Sequence, residues 1–387
     1  MRLLRIALVA LVAAPIAAAA GGPTAHNCSA STSLRLPASL DARTARGTFS
    51  IERDGRVCRV SAATSPVPDG TAWWPSTAVW VKSEHRHLVV GRRQRTLWRS
   101  HGRFAHEYRL GSIALGGHEL AFSYGIRTSR LYVAALNGHE HVVAHGEFPI
   151  GWTRGGLYVG RDQGGAILLR SGTVARPIPG AEYRTAAYET STGNLYFVDH
   201  GRLFRANGSR RKLVAALAGL GLHSERNLQV LLSGGLVVLE NMHRLVVLRT
   251  DGSVVSSTRL PLRKGHSDSL SDQPVASRTG VVAFAAMHPD RRIVTQVIER
   301  GNETVYLLRP GARTAVPIHV ERMRFNVCGH GATLAWRGRW LLYSVGEGPA
   351  AVIDTATGHA TELSFLIRRL PGFSGVEESG PLSLGWS

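Results

Sequence analysis

The 387-residue chain has little of what marks the common enzyme and membrane classes. It holds three cysteines, Cys28, Cys58 and Cys328, with no C-x-x-C pair and no Cys/His spacing of the kind that builds a structural zinc site. There is no G-x-S-x-G elbow, no H-E-x-x-H, no P-loop and no dinucleotide fingerprint, so the enzyme classes carried by those motifs recede. After residue 20 no apolar run approaches the ~18 residues that a membrane-spanning helix needs. Sustained helical periodicity is missing as well, with Lys212 to Leu222 the one stretch that resembles it, which excludes α/β and helical-repeat architectures. Lysine is scarce too. Lys82, Lys212 and Lys264 are the only three, so arginine carries nearly all of a formal net charge of +19.

What the chain does have is self-similarity. Gly102, Gly138, Gly172, Gly208, Gly252, Gly311 and Gly358 each follow a short apolar run and a polar turn and precede a second run. Examples are Leu136-Asn137-Gly138 and Arg249-Thr250-Asp251-Gly252. Glycine admits the positive φ of a tight hairpin, and Asn or Asp beside it tolerates the left-handed region. A second ladder of runs precedes the first, as in Leu157-Tyr158-Val159, Leu195-Tyr196-Phe197 and Leu236-Val237-Val238. A period near forty residues with about four strands per unit predicts an all-β fold, a β-propeller built over residues 76–364. The wide spacing before Gly311 predicts an inserted loop between Met287 and Glu303.

Seven blades are expected, with eight as the alternative. Thr48 to Val60 is itself a hairpin around Asp54-Gly55, within an N-terminal segment of residues 21–75. The C-terminal segment 365–387 ends in Pro381 to Trp386, which reads as a lone inner strand. A composite blade made from both ends would close the ring and remove two exposed sheet edges.

Arg2 and Arg5 precede an apolar run from Ile6 to Ala20 that ends in small residues, the pattern of a secretory signal peptide over residues 1–20. Its removal takes away two arginines and leaves a charge of +17. A secreted or periplasmic location follows as an expectation. A disulfide between Cys58 and Cys328 would tie the chain ends together, and Cys28 with Cys58 is the alternative. The basic surplus fits a protein partner or an anionic cell-envelope polymer. It also fits arginines spread over solvated strand faces, because they form no dense block. Nucleic acid is not expected, and neither is a cofactor.

Candidate ligand residues come from the turns between the second and third strands of successive units: Asp162, Asp199 with His200, Glu240 with Asn241, and His288 with Asp290. Asp268 and Asp272 in the loop between two units would join them on the same face. Carboxylates and imidazoles around a channel mouth can bind a cation, hold a sugar or move protons. The competing reading is that Asp and Asn are ordinary turn residues. His139, His141 and His145 share one face by strand alternation, but they fall on an outermost strand, far from the channel. Trp73 and Trp74, beside Pro75, are expected in a loop, either open to a sugar or packed on the first blade.

Segments such as Gly193-Asn194-Leu195-Tyr196-Phe197-Val198-Asp199 and Ser233-Gly234-Gly235-Leu236-Val237-Val238-Leu239 resemble strand pairs of secreted TolB-like and NHL-like β-propellers, over roughly residues 76–363. The Trp-Ser-Pro-Asp-Gly box of TolB-type blades and the repeated Trp-Asp of WD40 blades are absent. The resemblance implies a binding scaffold, with a channel-mouth hydrolase or lyase acting on a polysaccharide or small ester as the alternative.

Overall fold

The computed structural model describes residues 26–27, 47–53, 56–61, 72–74, 79–92, 95–104, 109–125, 129–161, 165–223, 225, 227–264, 266–270, 273–290, 299–325, 332–337, 339–345, 350–362 and 364–367. The expected signal peptide, Cys28, Cys328 and the segment 381–386 lie outside them.

The strand Leu236–Glu240 shows why the chain folds as stacked sheets. All five residues are buried, so both faces of this strand are covered. Val237 and Leu239 pack with Tyr196 and Val198 of the sheet before it. Leu236 and Val238 pack with Val282 and Phe284 of the sheet after it. Each fully buried Val or Leu contributes about 1.5–3 kcal/mol, and this two-sided burial recurs from sheet to sheet. The outermost strand of the same sheet, Val254–Arg259, reverts to alternation, with Ser256 and Thr258 buried and Val254 and Arg259 exposed.

Seven sheets follow in chain order, each a meander running from an inner to an outer strand. Blade 1 spans Ala72–Arg99, blade 2 Leu110–His145, blade 3 Glu147–Glu182 and blade 4 Ala186–Ala216. Blade 5 spans Gln229–Arg259, blade 6 Ser269–Phe325 and blade 7 Ala332–Glu362. An eighth sheet joins the chain ends. Gly47–Arg53 pairs with Arg56–Ser61 on one side and, antiparallel, with Ser364–Ile367 on the other, Phe49 standing opposite Phe365. His26–Asn27 adds a parallel outer strand. Among the described residues the fold is therefore an all-β propeller of eight blades, and the composite-blade alternative replaces the expected seven. The described C-terminal strand of this sheet is Ser364–Ile367, at the start of the expected closing segment 365–387, whose part around Trp386 lies outside the described residues.

The folded chain bears on several of these readings. Lys212 to Leu222 is not helical: Arg210–Ala216 is the outer strand of blade 4, paired with Arg202–Asn207, and a short 3-10 turn, Ala218–Leu220, follows. At the ends of the expected insertion between Met287 and Glu303 the chain is strand, Val282–Pro289 and Glu299–Leu308 staying paired as far as Pro289 opposite Gly301, while residues 291–298 lie outside the described residues. Blade 6 thereby projects beyond its neighbours by about 3.3 Å for each added residue. Trp73 and Trp74 belong to the inner strand Ala72–Trp74 rather than to a loop. Finally, a bulge places Val142 opposite Tyr132 but Ala144 opposite Leu131, so His145 leaves the sheet face that holds His141.

Candidate functional site

Each meander sends its second-to-third turns and its inter-blade crossovers to one end of the ring, and this loop face carries the candidate residues. Asp162 and Asp272 lie outside the described residues.

Asp199 ends the second strand of blade 4, Asn194–Asp199. Its Oδ2 accepts from Arg211 Nη1 at 3.1 Å, and its Oδ1 lies 2.6 Å from His200 Nδ1. Arg211 also donates to the Pro179 carbonyl of blade 3 at 3.0 Å. At Gly180 an added Cβ would lie 2.1 Å from Asp199 Cγ, so glycine is what lets the blade 3 strand pass over this carboxylate. Asp199 thus fastens blade 4 to blade 3. His200, at φ +47°, points to solvent.

Glu240 ends the second strand of blade 5. Alternation puts its side chain on the side of Leu236 and Val238, in the seam with blade 6. It is buried and has no hydrogen bond or ion pair among the described residues, and burial alone pushes its carboxyl up to about 7. Asn241 next to it closes the turn, its Oδ1 accepting from the backbone amides of His243 at 2.9 Å and Arg244 at 2.8 Å.

The same seam holds a chain of four side chains. Asp268, in the crossover from blade 5 to blade 6, accepts from Arg263 Nη2 at 2.8 Å and from the Arg263 backbone amide at 2.8 Å. Its Oδ2 also lies 2.8 Å from His288 Nδ1, and His288 Nε2 lies 3.1 Å from the Tyr306 hydroxyl. Burial works to raise the Asp268 carboxyl, but the bonds from Arg263 and His288 outweigh it and hold the group at about 2. Burial raises the Tyr306 phenol, the reverse of what an activated oxygen nucleophile needs. Asp290, on the projecting hairpin of blade 6, forms a two-pronged ion pair with Arg322.

The fold therefore gathers Glu240, Asp268 and His288 into one seam, while Asp199 faces blade 3 and Asp290 stays on its own blade. Reading the turns did not reveal the partners Arg211, Arg263, Arg322 and Tyr306. Those partners sit on neighbouring strands or crossovers whose register only the folded sheet supplies. Among the described residues no group of three or more His, Cys, Asp or Glu is arranged to hold a metal ion. No helix there is long and apolar enough to cross a membrane.

Inside the ring, the inner strands of blades 2 to 5 line one side of a cavity of about 540 Å³. Its described lining includes Trp152, Tyr188, Leu231, Arg184, Gln229 and Gln273, and no carboxylate.

No family model matches the chain, and no curated protein matches it in sequence. Solved structures share the arrangement loosely. The computationally designed Ika8 protein is 12% identical with a TM-score of 0.43, covering 83% of this chain and 91% of its own. Hsv2 of Kluyveromyces lactis is 12% identical with a TM-score of 0.46, covering 76% and 96%. BamB of Moraxella catarrhalis is 11% identical with a TM-score of 0.34, covering 76% and 96%. The fold assignment rests on the strand order of the eight sheets.

Proposed function

We propose that the protein is an exported, non-catalytic binding scaffold, similar to secreted TolB-like and NHL-like propellers, that engages a protein or cell-envelope ligand through its loop face. One observation supports this reading above others: Asp199, Asp268 and Asp290 are each held by an arginine, and no carboxylate is described in the channel lining. Carboxylates already paired in this way serve as clasps between strands and crossovers rather than as acid or base.

A second reading, a channel-mouth hydrolase or lyase, draws on Glu240, a buried carboxyl that keeps its proton near neutral pH. A panel of chromogenic glycosides, lactones and esters separates the two. The scaffold reading expects no turnover above heat-denatured protein, together with co-sedimentation of the mature chain with isolated cell envelopes. Turnover that disappears in Glu240→Gln would overturn it in favour of the second reading.

A further inference from the structure

We propose that the central channel is a binding site for a small organic acid, a carboxylate carried on an aromatic or apolar body. The inference goes beyond the scaffold reading, because it concerns a small molecule inside the channel, whose polar end lies toward the loop face, and holds whether or not a macromolecule docks there.

A volume of about 540 Å³ lies within the range of small-molecule sites. Three polar side chains reach its lining from three different blade connections. Arg184 comes from the 3-10 turn Tyr183–Thr185 between blades 3 and 4. Gln229 opens the inner strand of blade 5, and Gln273 lies between the two short inner segments of blade 6. All three are exposed, and their side chains have no hydrogen bond or ion pair among the described residues. The nearest acids along the chain do not answer Arg184. Glu182 is not part of the lining, and Glu189 turns to Thr192 and Asn194. One guanidinium and two amides in the same lining, unpaired among the described residues and with no described carboxylate, select for a negative charge that can accept hydrogen bonds.

The walls define the rest of the ligand. The Tyr188 ring lies so close to the backbone of blade 3 that a Cβ on Gly151 would stand 2.0 Å from it, and a Cβ on Gly116 would stand 3.0 Å from the Trp152 ring. Both rings have their polar atoms engaged: the Tyr188 hydroxyl donates to the Trp152 carbonyl, and Trp152 Nε1 donates to the Ala114 carbonyl at 3.3 Å. They are thereby fixed as apolar surfaces, joined by Ile150 and Leu231. A flat or aliphatic body fits these walls, with its carboxylate directed to Arg184.

Calorimetric titration of the full chain with 3-phenylpropionate, the uncharged 3-phenylpropionamide and the cationic 3-phenylpropylamine tests the assignment. The acid is expected to bind at least about ten-fold more tightly than the amide, the scale of a charge-assisted bond. Arg184→Gln should erase that preference with the melting temperature unchanged, and Gln229→Glu should turn it toward the amine. Equal binding of acid and amide to the wild type would overturn the proposal. So would no binding of the acid up to about 10 mM, or a preference that survives Arg184→Gln.

Discussion

Glu240 is a carboxyl whose folded environment favours the proton. Burial between blades 5 and 6 raises it from the ordinary carboxylate range to about 7, with no cation among the described residues to offset the loss of water. Below the unfolded-state value of about 4.5, both folded and unfolded chains hold this proton and the site costs nothing. As pH rises to about 7 the unfolded chain releases the proton first, so stability falls across that interval and then levels off. The expected outcome is that Glu240→Gln melts higher than the wild type at pH 8, by up to about 3 kcal/mol in unfolding free energy, and that the difference vanishes near pH 4. Thermal melts of both proteins across pH 4 to 8 check it. Position in a turn made Glu240, Asp268 and His288 visible in the sequence. Their division into an unpaired acid and a linked Arg263–Asp268–His288–Tyr306 chain was not, because that depends on which sheet face each strand presents to its neighbour.

At the level of elements, the seams are held by apolar burial and by single polar clasps that cross from blade to blade. Trp98 Nε1 donates to the Gly138 carbonyl at 3.1 Å, and Trp336 Nε1 to the Val275 carbonyl at 3.0 Å. The fully buried Tyr158 of blade 3 donates its hydroxyl to the Gly208 carbonyl of blade 4 at 3.1 Å. Tyr158→Phe keeps the ring and strands that carbonyl, so it should destabilise by about 1–1.5 kcal/mol, read as a lower urea midpoint with an unchanged m-value. The hairpins themselves were legible: Gly138, Gly172, Gly208, Gly252, Gly311 and Gly358 all fall between third and fourth strands. Gly208 and Gly252 take the positive φ, 63° and 95°, that the turn requires. Gly102 resembles them in sequence yet follows an outer strand. There the need is close approach, since an added Cβ would meet Glu140 Oε1 at 2.6 Å. Bulges stayed hidden because one extra residue leaves no compositional mark, and the His141–His145 pattern was misread for that reason.

For the whole molecule, the closure of the ring decides everything else, since a channel exists only inside a complete circle. The sequence pointed to a composite blade through the hairpin around Asp54-Gly55. Which C-terminal strand pairs with that hairpin was not legible, because Ser364–Ile367 and Pro381 to Trp386 look equally strand-like in sequence, and it is pairing that marks Ser364–Ile367. The arginine surplus of this chain is partly absorbed at this scale as well, with Arg170 in a buried ion pair and the more exposed Arg211, Arg263 and Arg322 each paired to a carboxylate. Hydrogen exchange at Gly47–Arg53 tests the closure most directly, comparing the full chain with one ending at residue 363. The eight-bladed account predicts slow exchange there in the full chain and fast exchange once Ser364–Ile367 is removed. Equal exchange rates in the two proteins would contradict it.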